Sequence, residues 1–107
     1  MMTVKDYFGN PIEVLPRLGK YAYTNNLAIR LVTKDGEPWS TLTVNLDVRL
    51  PPDYAYVDVN NNPDAKAFIA NNELGEWTGG IKQSGFVIYP LYKFDIEKLK
   101  LLEKEGE

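Results

Sequence analysis

Asp58, Asn60, Asn62 and Asp64 stand at alternate positions, the spacing at which oxygen-bearing side chains open a calcium loop. The rest of that loop is missing. Pro63 stands where such a loop turns on glycine, and Ile69 where it needs a bidentate glutamate. The same run reads better as a helix start, with an asparagine side chain capping free N–H groups, Pro63 in the first turn and Asp64 at its positive end. Gly75, Gly79 and Gly80, with Lys82 and Ser84 beyond, hint at a phosphate cradle. The Gly-Lys-Ser/Thr run is absent, and no helix pattern follows to aim its N-terminus at an anion, so a bent hairpin is the better reading. Lys82 and Ser84 raise a Ser–Lys nucleophile, but an interval of two is ordinary near a hairpin turn and a lysine base needs burial to lose its proton. Glu73 and Glu76 could share acid–base work only in a common cleft, which spacing does not establish.

The residue inventory narrows the chemistry further. Without cysteine there is no disulfide framework, thiolate nucleophile or cysteine metal site. Without histidine the commonest general base and transition-metal ligand are gone as well. No catalytic, cofactor-binding or metal residue is therefore assigned. A formal net charge of -3 argues against broad binding of nucleic-acid phosphates, which draws on clustered Lys and Arg. No stretch approaches the ~18 apolar residues of a membrane span, and Met1 to Asn10 lacks the apolar run of a signal peptide, so the expected location is the cytoplasm.

The 107 residues suit one domain spanning the whole chain. Its expected class is α+β, a mainly antiparallel, strongly twisted sheet of five or six strands with a short middle helix and a C-terminal helix across one face. After the Gly9-Asn10-Pro11 turn signal, Ile12, Val14 and Leu18 suggest a strand that Pro16 pushes to a sheet edge. Leu27, Ile29 and Leu31 alternate with Ala28, Arg30 and Val32, and beyond Asp35-Gly36 the alternation resumes from Trp39 to Leu46, the clearest hairpin in the chain. Pro51-Pro52 ends it, and Ala55, Val57 and Val59 begin another strand. Ala65, Phe68, Ile69 and Asn72 follow helical spacing. Trp77 to Ile81 and Phe86 to Tyr92 form a second hairpin about Gln83-Ser84-Gly85, with Pro90 marking an edge or a bulge. Asp95 caps a last helix, with Phe94 and Leu99 at the staple positions and Ile96, Leu99 and Leu102 along one side.

Eight aromatics, Tyr21, Tyr23, Trp39, Tyr54, Tyr56, Trp77, Tyr89 and Tyr92, strain the capacity of so small a core to satisfy every polar tip. They can brace the sheet as cross-strand pairs or anchor a partner. The leading functional reading is a non-enzymatic protein-interaction domain whose contact surface gathers Asn60, Asn61, Asn62, Trp77, Tyr89 and Tyr92, leaving self-association open. Two alternatives stand beside it: a small carboxylate-based hydrolase or carbohydrate-active enzyme, and an OB-like single-stranded nucleic-acid binder with stacking aromatics.

Gly36-Glu37-Pro38, Leu42-Thr43-Val44-Asn45-Leu46, Asn60-Asn61-Asn62-Pro63, Leu74-Gly75 with Thr78-Gly79, and Ser84-Gly85-Phe86 before Tyr89-Pro90, Tyr92 and Phe94 occur in that order. Together they resemble a family of small uncharacterised bacterial proteins, a domain of unknown function often carried on plasmids, conjugative elements and phages. The resemblance covers nearly the whole chain and implies an accessory role in mobile-element biology. It brings no activity, ligand or catalytic residue with it.

Overall fold

The computed structural model describes residues 2–106, and it divides the strands between two antiparallel sheets of four. The first has the order β1-β2-β3-β4, from Met2–Lys5, Pro11–Lys20, Leu27–Thr33 and Pro38–Thr41. The second has the order β5-β6-β8-β7, from Thr43–Val44, Tyr54–Val57, Val87–Phe94 and Gly75–Ser84. Helix α1 (Ala65–Asn71) precedes β7, and α2 (Ile96–Glu105) follows β8. The α+β class and both helices agree with expectation; the single sheet of five or six strands is replaced by two.

Leu42 is where the sheets part. The unbroken alternation from Trp39 to Leu46 predicts one strand, but the chain leaves β4 at Thr41 and enters β5 at Thr43. Leu42 N–H donates to Ile29 O at 2.8 Å, while its own carbonyl accepts from Asp58 N–H at 2.9 Å, so one residue is bonded to both sheets. Thr43 turns its hydroxyl inward to accept from Ile29 N–H at 3.1 Å, replacing a backbone ladder bond, and is buried with Leu42. Tyr21 braces the corner through its hydroxyl, 3.1 Å from Thr43 O and 3.0 Å from Thr43 Oγ1.

Pro16 shows why an interior strand tolerates proline. β2 lies between β1 and β3, yet β1 covers it only from Pro11 to Val14. Leu18 N–H points away from β3 to Glu103 Oε2 of α2 at 2.7 Å, and Pro16, two residues earlier, faces the same way. The expected edge is therefore real for the second half of β2, and no ladder bond is lost there. α2 covers this edge. Its start follows the expected cap: Asp95 Oδ1 accepts from Lys98 N–H at 3.1 Å, and both Phe94 and Leu99 are buried.

Ile29, Leu31, Leu42, Val57, Ile69, Leu74 and Leu99 meet in one core contributed by both sheets and both helices. Among the described residues no helix is long and apolar enough to cross a membrane.

Candidate functional site

The Asp58–Asp64 run builds a closed loop. Asp58 is buried and accepts from Asn61 N–H at 3.1 Å and from Asn61 Nδ2 at 2.8 Å, one bond to each carboxylate oxygen. Asn62 Nδ2 donates to Thr41 O at 2.8 Å and to Asp58 O at 3.0 Å, tying the loop to the end of β4. The expected asparagine cap on α1 is not formed, because Asp64 occupies the N-cap position and makes no side-chain capping bond. The asparagines instead satisfy the loop that carries the chain into the helix. Asn60 is exposed and makes no such bond.

This loop and α1 stand over one face of the first sheet, leaving an open groove of about 770 Å³. Leu31, Leu42 and Phe68 give it an apolar floor. Trp39 and Ser40 of β4 stand at one side, and Asn61 and Asn62 line it from above. Its charged lining residues are Lys5 and Asp64, one of each sign. Ser40 Oγ is the one buried side-chain polar atom among the described residues without a hydrogen-bond partner.

Trp77 and Tyr89 lie elsewhere, on the β7–β8 hairpin. β6 pairs with β8 only from Leu91 to Lys93, so residues 81–90 continue as a two-stranded ribbon beyond the four-stranded part of the sheet. At its root, two extra β7 residues separate the Trp77–Tyr92 pair from the Ile81–Pro90 pair. Thr78 Oγ1 fills the break, donating to Leu91 O at 2.9 Å and accepting from Gly80 N–H at 3.0 Å, while Trp77 Nε1 donates to Gly80 O at 2.9 Å. This is the bulge that Pro90 led us to expect. The proline itself costs the ladder nothing: Ser84–Val87 closes the turn as a hydrogen-bonded pair, and alternation then makes Ile81–Pro90 a non-bonded one. The glycines at 79 and 80 shape this bend, as the hairpin reading of the sequence expects.

The turn falls one residue later than the sequence suggests. Gly85 and Phe86 are its central residues, with Gly85 at φ 61°, the primed geometry that suits a twisted ribbon. Phe86 is therefore at the tip, fully exposed, and not in line with Ile88 and Tyr92. Ile81 and Ile88 lie on one face of the ribbon, 60% and 54% exposed. Trp77 is 53% exposed, with the Lys66 ammonium 5.8 Å from its ring centre. Tyr92 is 7% exposed in the core, where burial raises its phenol pKa above the ordinary 10.0, so it offers no surface to a partner. Tyr89 is half-buried opposite Lys82. The six expected contact residues thus divide among the groove, the ribbon and the core. Lys82 and Ser84 stand on the ribbon with no side-chain hydrogen bond or ion pair to the described residues, and Glu73 lies 3.8 Å from Lys98 at the surface.

Residues 16–107 match a family model described as a domain of unknown function, DUF4313. The chain belongs to this family. The DUF4313 match begins at Pro16, so β1 and the first half of β2 precede it, while the groove loop, α1, the ribbon and α2 fall inside. No curated protein and no solved structure matches the chain.

Proposed function

We propose that this chain is a non-enzymatic protein-interaction domain that grips its partner with the β7–β8 ribbon, serving in the cytoplasm as an accessory protein of bacterial mobile elements. The observation that carries the reading is the set Ile81, Phe86 and Ile88, exposed on a projecting ribbon with no other part of the sheet to cover them, with Trp77 half-exposed at its root. Two-stranded ribbons are marginal by themselves, and exposed apolar side chains on one add little to folding beyond strand propensity and cross-strand contact. Aromatic and branched anchors desolvated at the centre of a contact are what give interfaces their energy. From Trp77 to Tyr92 the only charge is Lys82, which fits an uncharged, apolar partner surface better than an acidic or basic one. The mobile-element setting rests on the resemblance of the ordered strings from Gly36 to Phe94. The hydrolase alternative asks for two carboxylates across one cavity, and the groove is lined by one, Asp64.

The test compares the wild type with a ribbon variant, Ile81→Ser, Phe86→Ser and Ile88→Thr together, each tagged and incubated with extract from the native host. The reading expects a defined protein retained by the wild type and lost by a folded variant. Identical retention by both contradicts it, and a concentration-dependent dimer of the wild type that the variant lacks names a second copy as the occupant.

A further inference from the structure

We propose that the groove between α1 and the first sheet binds a neutral, hydroxyl-rich ligand of the carbohydrate class. Its size falls within the range of small-molecule sites, which combine an apolar floor with a few placed polar groups. The charge of the lining sums to zero from Lys5 and Asp64, so nothing in it selects an anion or a cation.

The polar groups have a direction. Asn61 and Asn62 each spend the amide nitrogen on Asp58 or on backbone carbonyls, and Asn72 Nδ2 donates to Phe68 O at 2.8 Å. Because only the nitrogen can donate to a carbonyl or carboxylate, the orientation of each amide is fixed by chemistry. Three Oδ1 acceptors are left with no donor among the described residues. A ligand that meets them must carry several donors and no net charge, which describes a sugar better than a phosphate or a carboxylate.

Trp39 supplies the complementary surface. It is 38% exposed on an edge strand at the side of the groove, where its ring can take the apolar C–H face of a pyranose while the hydroxyls at the rim reach the asparagines. Ser40, its neighbour, has a hydroxyl with no bond to lose, so a change of χ1 rotamer toward a ligand breaks nothing in the protein. The Ser40 hydroxyl therefore has its hydrogen-bonding capacity free beside the half-exposed tryptophan.

The experiment uses the full chain with Trp77→Phe, which leaves Trp39 as the only tryptophan. Cellotriose, xylotriose and chitotriose are titrated to about 10 mM, with binding read by Trp39 emission and by calorimetry. At least one should saturate and shift the emission. Trp39→Ala, read by calorimetry, should weaken that binding by about tenfold or more, and Trp39→Phe, which keeps an aromatic face, by less. Ser40→Ala should weaken it by about threefold while leaving the melting temperature unchanged or higher, since the hydroxyl removed has no partner. Saturation by none of the three sugars overturns the proposal. So does binding that survives Trp39→Ala in a folded protein, or binding of inorganic phosphate where the sugars are silent. Trp39 and Ser40 lie outside the ribbon, and Trp77→Phe is common to every protein compared by emission, so these outcomes do not bear on the ribbon.

Discussion

The β2–β3 and β7–β8 hairpins are built from similar strands and treated in opposite ways by the rest of the molecule. The turn between β2 and β3 is stapled down: Asn26 is buried, its Nδ2 donating to Val48 O at 2.6 Å and its Oδ1 accepting from Leu50 N–H at 2.9 Å. Leu27, Ile29 and Leu31 beside it enter the core. Among the described residues nothing beyond the hairpin bonds to the turn between β7 and β8, and Ile81, Phe86 and Ile88 are left in solvent. The stapled hairpin uses its apolar side chains for folding; the free one carries apolar side chains that folding does not use. That difference is the physical reason to look for a partner at the second and not the first.

The sharpest way to break the comparison is to make the same substitution in both. Ile29→Ala empties a fully buried site and should cost about 2–5 kcal/mol in a denaturant titration. Asn26→Ala comes next: it leaves the Val48 carbonyl and the Leu50 N–H without partners, for a loss of about 1–3 kcal/mol by the same measurement. Gly75→Ala strikes the root of the free hairpin, where an added Cβ would lie 2.6 Å from Lys93 O on β8, and overpacking of that kind costs about 1–3 kcal/mol. A melting temperature unmoved by Gly75→Ala would show that the root itself is loose. Ile88→Ala, in contrast, should stay within about 0.5 kcal/mol of the wild type.

The core tyrosine gives the comparison a dependence on pH. Burial raises the Tyr92 pKa in the folded state, so the unfolded chain loses that proton first. The associated stability is fully present below pH 10.0, the ordinary tyrosine value, and is lost as pH rises from there through the folded pKa. Tyr92→Phe should therefore flatten the alkaline fall in stability, read as denaturation midpoints measured across that pH range.

Much of the stapled half was legible in the sequence. Leu27 to Val32 alternate between clear turn signals, and Asp95 with Phe94 and Leu99 marks a helix start by local chemistry alone. Three features escaped for identifiable reasons. The corner at Leu42 is invisible to alternation because Thr43, polar by type, turns its hydroxyl inward to take the place of a ladder bond. β1 is four residues of mixed character, and only its pairing from Met2 to Lys5 with β2 makes it a strand. The asparagine run is a capping signal by composition, but Asp64 takes the N-cap position, and Asn61 is held in the loop by Asp58 instead. The groove had no signal at all, since Trp39 and Asn62 come to line one cavity only when the chain between them folds back over the first sheet. The ribbon had one that could have been read: Gly85 as the first central residue of a two-residue turn places Phe86 at the tip.

The denaturation midpoint of the Ile81→Ser, Phe86→Ser, Ile88→Thr protein, measured beside the wild type, addresses the central claim most directly. The account predicts curves that superimpose within about 0.5 kcal/mol per substituted site, because those side chains are already in water in the free molecule. A loss of about 4 kcal/mol or more, the scale of true core truncation, would mean that they hold the fold together and would leave no apolar surface for a partner to explain.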